Sequence, residues 1–243
     1  MNDDQRDPRT LMLAPEKGVD IEANGIRVAT LMCTPLDLDA LALGHLATAG
    51  FIASRDEVLS VYVCPDNSRV SVRCVRDPAI SAPSAITPSA CGSGAASLFG
   101  IEELHPLPLS ATFGMDSIRA WAREMFERAT MHKSVGGMHC AALAAPDGLF
   151  CVYEDVGRHN AIDKAVGKGL MAGLDFTASC LLSSGRIAAD MAAKAVRIGV
   201  PLIASRSIPT TSAYSIAAEK RLSMIGRILS SSPIVYTMGE RVV

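Results

Sequence analysis

The sequence predicts an α/β protein, and three observations support that class. The second half of the chain alternates between short apolar runs and helical patterns of about ten to fifteen residues, as strands joined by crossover helices do. The first half contains two β-hairpin patterns. Hydrophobic residues make up 49% of the 243 residues and aromatic residues only 5%, so the core must be built mainly from aliphatic side chains. We therefore expect a mainly parallel sheet in the second half.

The first half of the chain is predicted to form two hairpins with a helix between them. Apolar and polar residues alternate on both sides of Asn24-Gly25, a dipeptide that favours a two-residue turn. We place strands over residues 19–22, 26–33, 58–64 and 69–75, and a helix over 37–46. Regular patterning stops from 77 to 97, in a segment rich in small residues that contains Cys91. Internal segments of this length without a pattern are usually functional or disordered.

The second half begins with an amphipathic helix. Ile118, Trp121, Met125 and Phe126 share one face of the helical pattern over 115–132. Strands and helices then follow one another to the end of the chain. We place the strands over residues 138–144, 149–154, 178–182, 201–204 and 234–236, and the helices over 160–171, 187–198 and 213–228.

Charge and cysteine usage narrow the functional classes. The formal net charge is −2 with acids and bases mixed, which argues against nucleic acid or a membrane as the main partner. The N-terminus has no secretory pattern and no apolar run approaches a membrane span, so we expect a cytoplasmic protein with a disordered tail over 1–14. The seven cysteines are scattered singly, which suits reduced thiols. We expect no metal site, because no C-x-x-C pair is present.

Three polar clusters each follow a predicted strand and precede a predicted helix. They cover residues 154–160, 183–186 and 205–212, and each combines an arginine with glycine or hydroxyl residues. Ligands of α/β sheets bind beyond the carboxyl ends of strands, so these clusters predict a pocket for a phosphate or a heterocycle. The alternative is that the Ser and Thr side chains cap helices and the arginines are solvated. His139 and His159 are candidates for proton transfer, or else structural histidines.

Cys91 differs from the other cysteines in its surroundings. Gly92 and Gly94 follow it in a segment without a regular pattern, which would give a thiolate both access and backbone N–H donors. From the residues alone, Cys91 is either a reactive thiol or an incidental small residue.

Several blocks of the sequence together resemble one known family. They are EDVGRHNAIDK at 154–164, VGGMHCAAL at 135–143, TPLDLDALALGHLATAGFI at 34–52, SSGRIAADMAAKAVRIGVPLIASRSIPTTSA at 183–213 and VYT at 235–237. These blocks resemble the FdhD/NarQ family of formate dehydrogenase accessory sulfurtransferases. The resemblance implies a three-layer α/β/α fold similar to cytidine deaminases but without their zinc motif. It also implies a homodimer and a single domain over 15–243, with a hairpin-rich lobe over 15–110 and an α/β layer over 111–243.

The resemblance also implies a function. A cysteine desulfurase would load sulfur as a persulfide onto Cys91. The persulfide would then sulfurate the molybdenum or tungsten of a bound bis-molybdopterin guanine dinucleotide, before this cofactor enters the formate dehydrogenase catalytic subunit. The implied cofactor-binding residues are Arg158, His159, Ser184, Gly185, Arg186, Ser207, Thr210, Arg227, Ile228, Leu229, Ser230, Ser231 and Ser232.

Two departures from the family pattern affect these expectations. Gly94 stands where most members have a second loop cysteine, so a relay between two thiols is not available in this loop. Leu229 and Ser232 stand where arginines are usual, which removes charged contacts to phosphate. The alternative function is therefore a non-catalytic chaperone that binds the molybdenum cofactor. A third candidate, a deaminase-like hydrolase, would need a set of zinc ligands that the sequence lacks.

Overall fold

The computed structural model describes residues 13–77 and 103–243, and these residues form two β-sheets with helices packed between and against them. The predictions for Cys91 and for nearly all of the tail over 1–14 concern residues outside these ranges.

The four-stranded sheet is built from the two predicted hairpins. Its strands are β1 Lys17–Ala23, β2 Ile26–Cys33, β3 Val58–Val63 and β4 Arg69–Cys74, in the order β2-β1-β4-β3. Both hairpins are antiparallel, and the central β1–β4 pair is parallel. Asn24 and Gly25 both have positive φ, as a tight two-residue hairpin turn requires. The whole sheet lies within the predicted lobe over 15–110, and the division of the chain stays a prediction.

The six-stranded sheet is mixed, so the expectation of a mainly parallel sheet is wrong. Its strands are β5 His139–Ala145, β6 Gly148–Asp155, β7 Cys180–Ser183, β8 Leu202–Ser205, β9 Ser223–Gly226 and β10 Ile234–Thr237, in the order β10-β9-β8-β7-β5-β6. Only the pairs β7–β8 and β8–β9 are parallel. The other pairs are antiparallel because β5 and β6 form a hairpin, and β10 returns from β9 without a crossover helix.

The described α-helices are α1 Leu38–Ala49, α2 Met115–Arg128, α3 Thr130–Ser134, α4 Arg158–Met171, α5 Ala189–Arg197 and α6 Thr211–Lys220. The predicted helix over 213–228 is wrong in its second half. Arg221 ends α6 with a φ of 55°, and the buried strand β9 follows directly. A short apolar run inside such a segment fits a helical period as well as a buried strand, so periodicity alone does not separate the two. The predicted helix over 115–132 divides at Ala129 into α2 and α3.

Alternate residues of the six-stranded sheet enter two different apolar clusters. Leu143 and Leu181 belong to a cluster that includes α1, α4 and the inner face of the four-stranded sheet. Ala142 and Leu182 belong to a second cluster, which α2 covers. The six-stranded sheet therefore has helices on both faces, and the α/β class is confirmed, while the closer likeness to cytidine deaminases stays a prediction. In the described ranges, no helix combines the length and apolar character needed to cross a membrane.

Candidate functional site

The predicted polar clusters lie along one edge of the six-stranded sheet because of the strand directions. Strands β7, β8 and β9 are mutually parallel, and β5 is antiparallel to both β7 and β6. The carboxyl ends of β6, β7, β8 and β9 therefore lie at the edge where β5 begins with His139. Residues that are far apart in the chain are brought together there.

Hydrogen bonds join the cluster after β7 to the cluster after β8. The Arg206 amide donates to the carbonyl oxygen of Ser183 at 3.2 Å, and the Ser205 hydroxyl donates to the carbonyl oxygen of Gly185 at 2.5 Å. The Ser205 hydroxyl also accepts a bond from the Ser207 amide at 3.0 Å. The two loops therefore form one bonded unit at the sheet edge.

The predicted cofactor segment 227–232 joins the same unit through its first two residues. The amides of Arg227 and Ile228 donate to the carbonyl oxygens of Ser207 and Ser205 at 2.9 and 3.0 Å. The Ile228 side chain is 1% exposed and lies in the second apolar cluster, against which Leu229 packs.

Most of the polar residues in the segment over 227–232 are exposed. Arg227, Ser231 and Ser232 are exposed, while the Ser230 carbonyl accepts a bond from Arg119 at 3.1 Å. The polar side chains of Arg227, Ser231 and Ser232 therefore face solvent, and the apolar side chains of the segment serve packing.

Arg158 and His159 begin helix α4 beside these loops. Arg158 lies against Gly185 so closely that a Cβ on Gly185 would be 2.9 Å from Arg158 Cδ. The Arg158 Nε atom is buried and has no hydrogen-bond partner within the described residues. His159 Nε2 lies 2.5 Å from Asp190 Oδ2. Burial by itself would raise the pKa of Asp190, but the hydrogen bond and charge of His159 outweigh it and hold that pKa below its usual range.

His139 and Ser184 form a second polar pair at the start of β5. His139 Nδ1 lies 3.2 Å from Ser184 Oγ, which also accepts a bond from the Cys140 amide at 3.0 Å. Burial, and then the nearby charge of Arg158, lower the pKa of His139. His139 is therefore neutral near pH 7, so one of its ring nitrogens donates a hydrogen bond and the other accepts one.

A pocket of about 310 Å³ at this sheet edge is lined by His132, Met138, His139, Ser184, Arg206 and Ser207, and the predicted binding residues Arg158 and His159 are not part of its lining. Ser184 and Ser207 are predicted binding residues that the structure brings together. Arg206 belongs to the predicted cluster over 205–212 but not to the binding residues that the family resemblance implies, and His132 and Met138 belong to neither set. The position of Arg206 between two serines of a predicted cluster was a usable signal, whereas only the fold brings His132 and Met138 here.

Gly185, Arg186 and Thr210 are predicted binding residues that lie in the same loops but do not line this pocket. Thr210 caps α6, because its hydroxyl accepts a bond from the Ala213 amide at 3.3 Å. Arg186 is exposed after Gly185. A separate depression of about 290 Å³, beside Trp121 and Pro146, contains none of the predicted residues.

The block at 154–164 also contributes residues that do not face the pocket. Asp155 and Lys164 form a fully buried ion pair at 2.7 Å. The Asp155 carboxylate also accepts bonds from the Gly157 amide at 2.9 Å, from Asn160 Nδ2 at 3.0 Å and from the Thr34 amide at 3.0 Å. This network joins the end of β2 to the loop before α4, and so holds the residues that precede Arg158.

The described cysteines offer little reactive sulfur. Five of them are buried, namely Cys33, Cys74, Cys140, Cys151 and Cys180. Burial raises the pKa of each of these thiols, to about 12 for Cys33 and Cys140 and to about 11 for Cys151. Cys64 is half-buried at the tip of the second hairpin. Within residues 13–77 and 103–243, no group of three or more His, Cys, Asp or Glu side chains is arranged to hold a metal ion.

Comparison with known proteins gives a consistent result over nearly the whole chain. The family model for FdhD/NarQ matches residues 14–243. A sulfur carrier protein FdhD from Shouchella clausii is 34% identical, over 95% of this chain and 89% of the relative. A protein of the same name from Streptomyces coelicolor is 36% identical, over 95% of this chain and 88% of the relative. A formate dehydrogenase accessory protein from Desulfotalea psychrophila has a similar structure, with a TM-score of 0.81 and 27% identity, covering 95% of this chain and 91% of the other.

Proposed function

Since this chain belongs to the FdhD/NarQ family, we propose that it is a cytoplasmic, homodimeric sulfur carrier for the maturation of formate dehydrogenase. A cysteine desulfurase supplies the sulfur, and Cys91 carries it as a persulfide. The acceptor is the molybdenum of bis-molybdopterin guanine dinucleotide, which the protein binds as a substrate and passes on to the formate dehydrogenase catalytic subunit.

The observation that carries this proposal is that the polar clusters over 183–186 and 205–212 line one cationic pocket, with the cluster over 154–160 packed beside them through Arg158. The loops after β7, β8 and β9 are joined by hydrogen bonds, and Arg206 and Arg158 lie beside them. The buried Nε of Arg158, which lacks a partner among the described residues, suits an oxyanion. The diphosphate groups of a guanine dinucleotide provide such oxyanions, so the residues present fit this substrate.

The properties of the described thiols support Cys91 as the carrier. A thiolate is the attacking species, and five of the six described cysteines are buried with raised pKa values. In the first step, the Cys91 thiolate attacks the terminal sulfur of the desulfurase persulfide. The S–S bond breaks, the desulfurase cysteine leaves as a thiolate, and Cys91 holds the persulfide. One cysteine is sufficient for this step, so Gly94 does not prevent it.

Mass spectrometry of the intact protein tests this proposal. After incubation with a cysteine desulfurase and cysteine, the protein should gain about 32 Da, the mass of one sulfur on a cysteine. Cys91→Ala should abolish the gain. Cys64→Ala, which removes the half-buried thiol of the hairpin tip, should leave it unchanged. A full gain by the Cys91→Ala protein would show that Cys91 is not the carrier.

The single cysteine of the 77–97 segment also favours a second candidate function, a chaperone that binds the cofactor without carrying sulfur. The same experiment separates the two. The wild-type protein would act as the chaperone if it gains no sulfur but still restores formate dehydrogenase activity in cells from which this protein has been deleted.

A further inference from the structure

We propose that Arg206, supported by the ring of Phe126, is the main anion-binding residue of the pocket and binds a diphosphate group. This inference deepens the proposed function and rests on it for the identity of the natural ligand. It assigns the diphosphate to the arginine of the predicted polar cluster over 205–212, which is not among the binding residues that the family resemblance implies.

The backbone around Arg206 is fixed on both sides. Its own amide donates to Ser183, the preceding Ser205 carbonyl accepts from Ile228, and the following Ser207 amide donates to the Ser205 hydroxyl. Because these bonds tie the loop to β7 and to the end of β9, the Arg206 side chain leaves the sheet edge from a defined point.

The aromatic ring of Phe126 contacts the guanidinium group of Arg206. The Arg206 guanidinium carbon lies 5.5 Å from the centre of the Phe126 ring, within the roughly 6 Å range of a cation–π contact. The same ring lies 5.5 Å from the His132 ring at an angle of 55°. Phe126 therefore contacts two residues that line the pocket, and helix α2 contributes to the site through a side chain that does not line it.

The charges near Arg206 leave it available for an anion. No carboxylate forms an ion pair with Arg206 in the part of the chain that the structure describes. The carboxylate oxygens of the nearby Glu154 accept bonds from the amides of Met131 at 3.1 Å and His132 at 2.5 Å. Acidic side chains are absent from the described lining, so its net charge is positive.

The ligand class follows from the donors and the size. A guanidinium group is planar and donates two parallel hydrogen bonds to phosphate oxygens. Ser184 and Ser207 place hydroxyl groups on the same pocket. A volume of about 310 Å³ is at the lower end of the roughly 300 to 1,000 Å³ of small-molecule sites. It therefore suits one diphosphate-bearing end of a large cofactor rather than the whole molecule.

Calorimetric titration of the full chain with inorganic pyrophosphate tests this assignment. Arg206→Ala should weaken binding about 10- to 100-fold, which corresponds to the loss of charge-assisted hydrogen bonds. Arg73→Ala removes another exposed arginine, which lies in the four-stranded sheet away from the pocket, and should leave the affinity unchanged. Wild-type protein that does not bind pyrophosphate, or an Arg206→Ala variant that binds it as tightly as wild type, would overturn the assignment.

Two substitutions test Phe126 as a positioning residue. Phe126→Leu keeps an apolar side chain but removes the aromatic face, and should weaken pyrophosphate binding. Phe126→Tyr keeps the aromatic face and should retain the wild-type affinity for pyrophosphate. If the leucine variant has wild-type affinity, or if both variants bind equally weakly, the support from Phe126 is refuted.

Sulfur loading separates this assignment from the proposed function. Sulfur loading is measured on the wild-type protein as the gain of about 32 Da from the desulfurase, and the dependence on Arg206 is measured only in the pyrophosphate titration. If the protein never accepts sulfur but its pyrophosphate binding depends on Arg206, the sulfur-carrier function is refuted and the assignment of Arg206 is supported. If the protein accepts sulfur normally but its pyrophosphate binding does not depend on Arg206, the sulfur-carrier function is supported and the assignment of Arg206 is refuted.

Discussion

Asp155 and Lys164 have side chains with no exposed surface, and their ion pair lies between β6, α4 and the residues after β2. The Lys164 ammonium also donates to the carbonyl oxygen of Thr34 at 2.9 Å. A buried charge is tolerated only where partners replace its hydration, and here each charged group has several. These residues therefore stabilise the loop that carries Arg158 and His159, although their place in the block at 154–164 alone does not distinguish them from binding residues.

Removing Lys164 should destabilise the protein strongly. Lys164→Met keeps the volume but leaves the buried Asp155 carboxylate without its counter-charge, and should lower the free energy of unfolding by about 3 to 5 kcal/mol. Urea denaturation measures the change. The control is Arg27→Ala, which removes the exposed partner of Asp20 and should cost no more than about 1 kcal/mol. Similar losses in the two variants would contradict a structural role for the buried pair.

At the scale of elements, α1 and α4 cross in direct backbone contact. A Cβ on Gly44 would lie 1.7 Å from the carbonyl oxygen of Asp163, and one on Gly167 would lie 1.9 Å from the carbonyl oxygen of Ala40. Glycine is required at both positions because no side chain fits between the helices. This close approach sets where α4 begins, and so where its first residues meet the sheet edge.

A methyl group at this crossing should be poorly tolerated. Gly44→Ala forces the helices apart and should lower the free energy of unfolding by about 3 kcal/mol or more, the upper end for an overpacked core. Gly18→Ala is the matched control, because a Cβ there would meet its nearest atom at an ordinary 3.5 Å. Thermal or urea unfolding compares the two. A Gly44→Ala protein as stable as the Gly18→Ala protein would show that the helices separate without cost.

The elements themselves were predicted with uneven success. Hairpins were predicted correctly because alternation and the Asn24-Gly25 turn are local signals. The strand Ser223–Gly226 was missed because a short buried segment with only two large apolar side chains, Met224 and Ile225, fits either structure after a helix. In the same way, the Arg206 loop was located from sequence, but its contact with Phe126 depends on the packing of α2.

For the whole molecule, the Asp163 carboxylate joins three helices. It accepts two bonds from Lys194 Nζ, both at 2.6 Å, and one from Thr48 Oγ1 at 2.8 Å, and it lies 3.3 Å from His45 Nδ1. Burial alone would raise the pKa of Asp163, but the charge of Lys194 and the bond and charge of His45 lower it to about 2. The ionised form is therefore bound more favourably in the folded chain than in the unfolded chain.

Acid should remove the stabilisation that the ionised Asp163 carboxylate gives to the folded protein. The pKa of Asp163 in the folded chain is about 2, below the usual value of an aspartate, so the stabilisation is fully present above about pH 4 and is lost as pH falls toward 2. Asp163→Asn should lower stability at pH 7 and flatten its dependence on pH between 4 and 2. The exposed Asp56→Asn should keep the wild-type pH dependence. Unfolding curves at several pH values measure both, and an unchanged slope in Asp163→Asn would contradict the pKa assignment.

The sequence by itself determined the α/β class, the two hairpins and the position of each polar cluster after a strand. These features depend on neighbours in the chain, through alternation, turn dipeptides and short polar loops. Only the tertiary structure decided the mixed strand directions, the buried role of Asp155 and Lys164, and the pocket that unites His132 with Arg206. These features depend on contacts across the chain, such as the bond from Thr34 to Asp155 over 121 positions, and no local pattern encodes them.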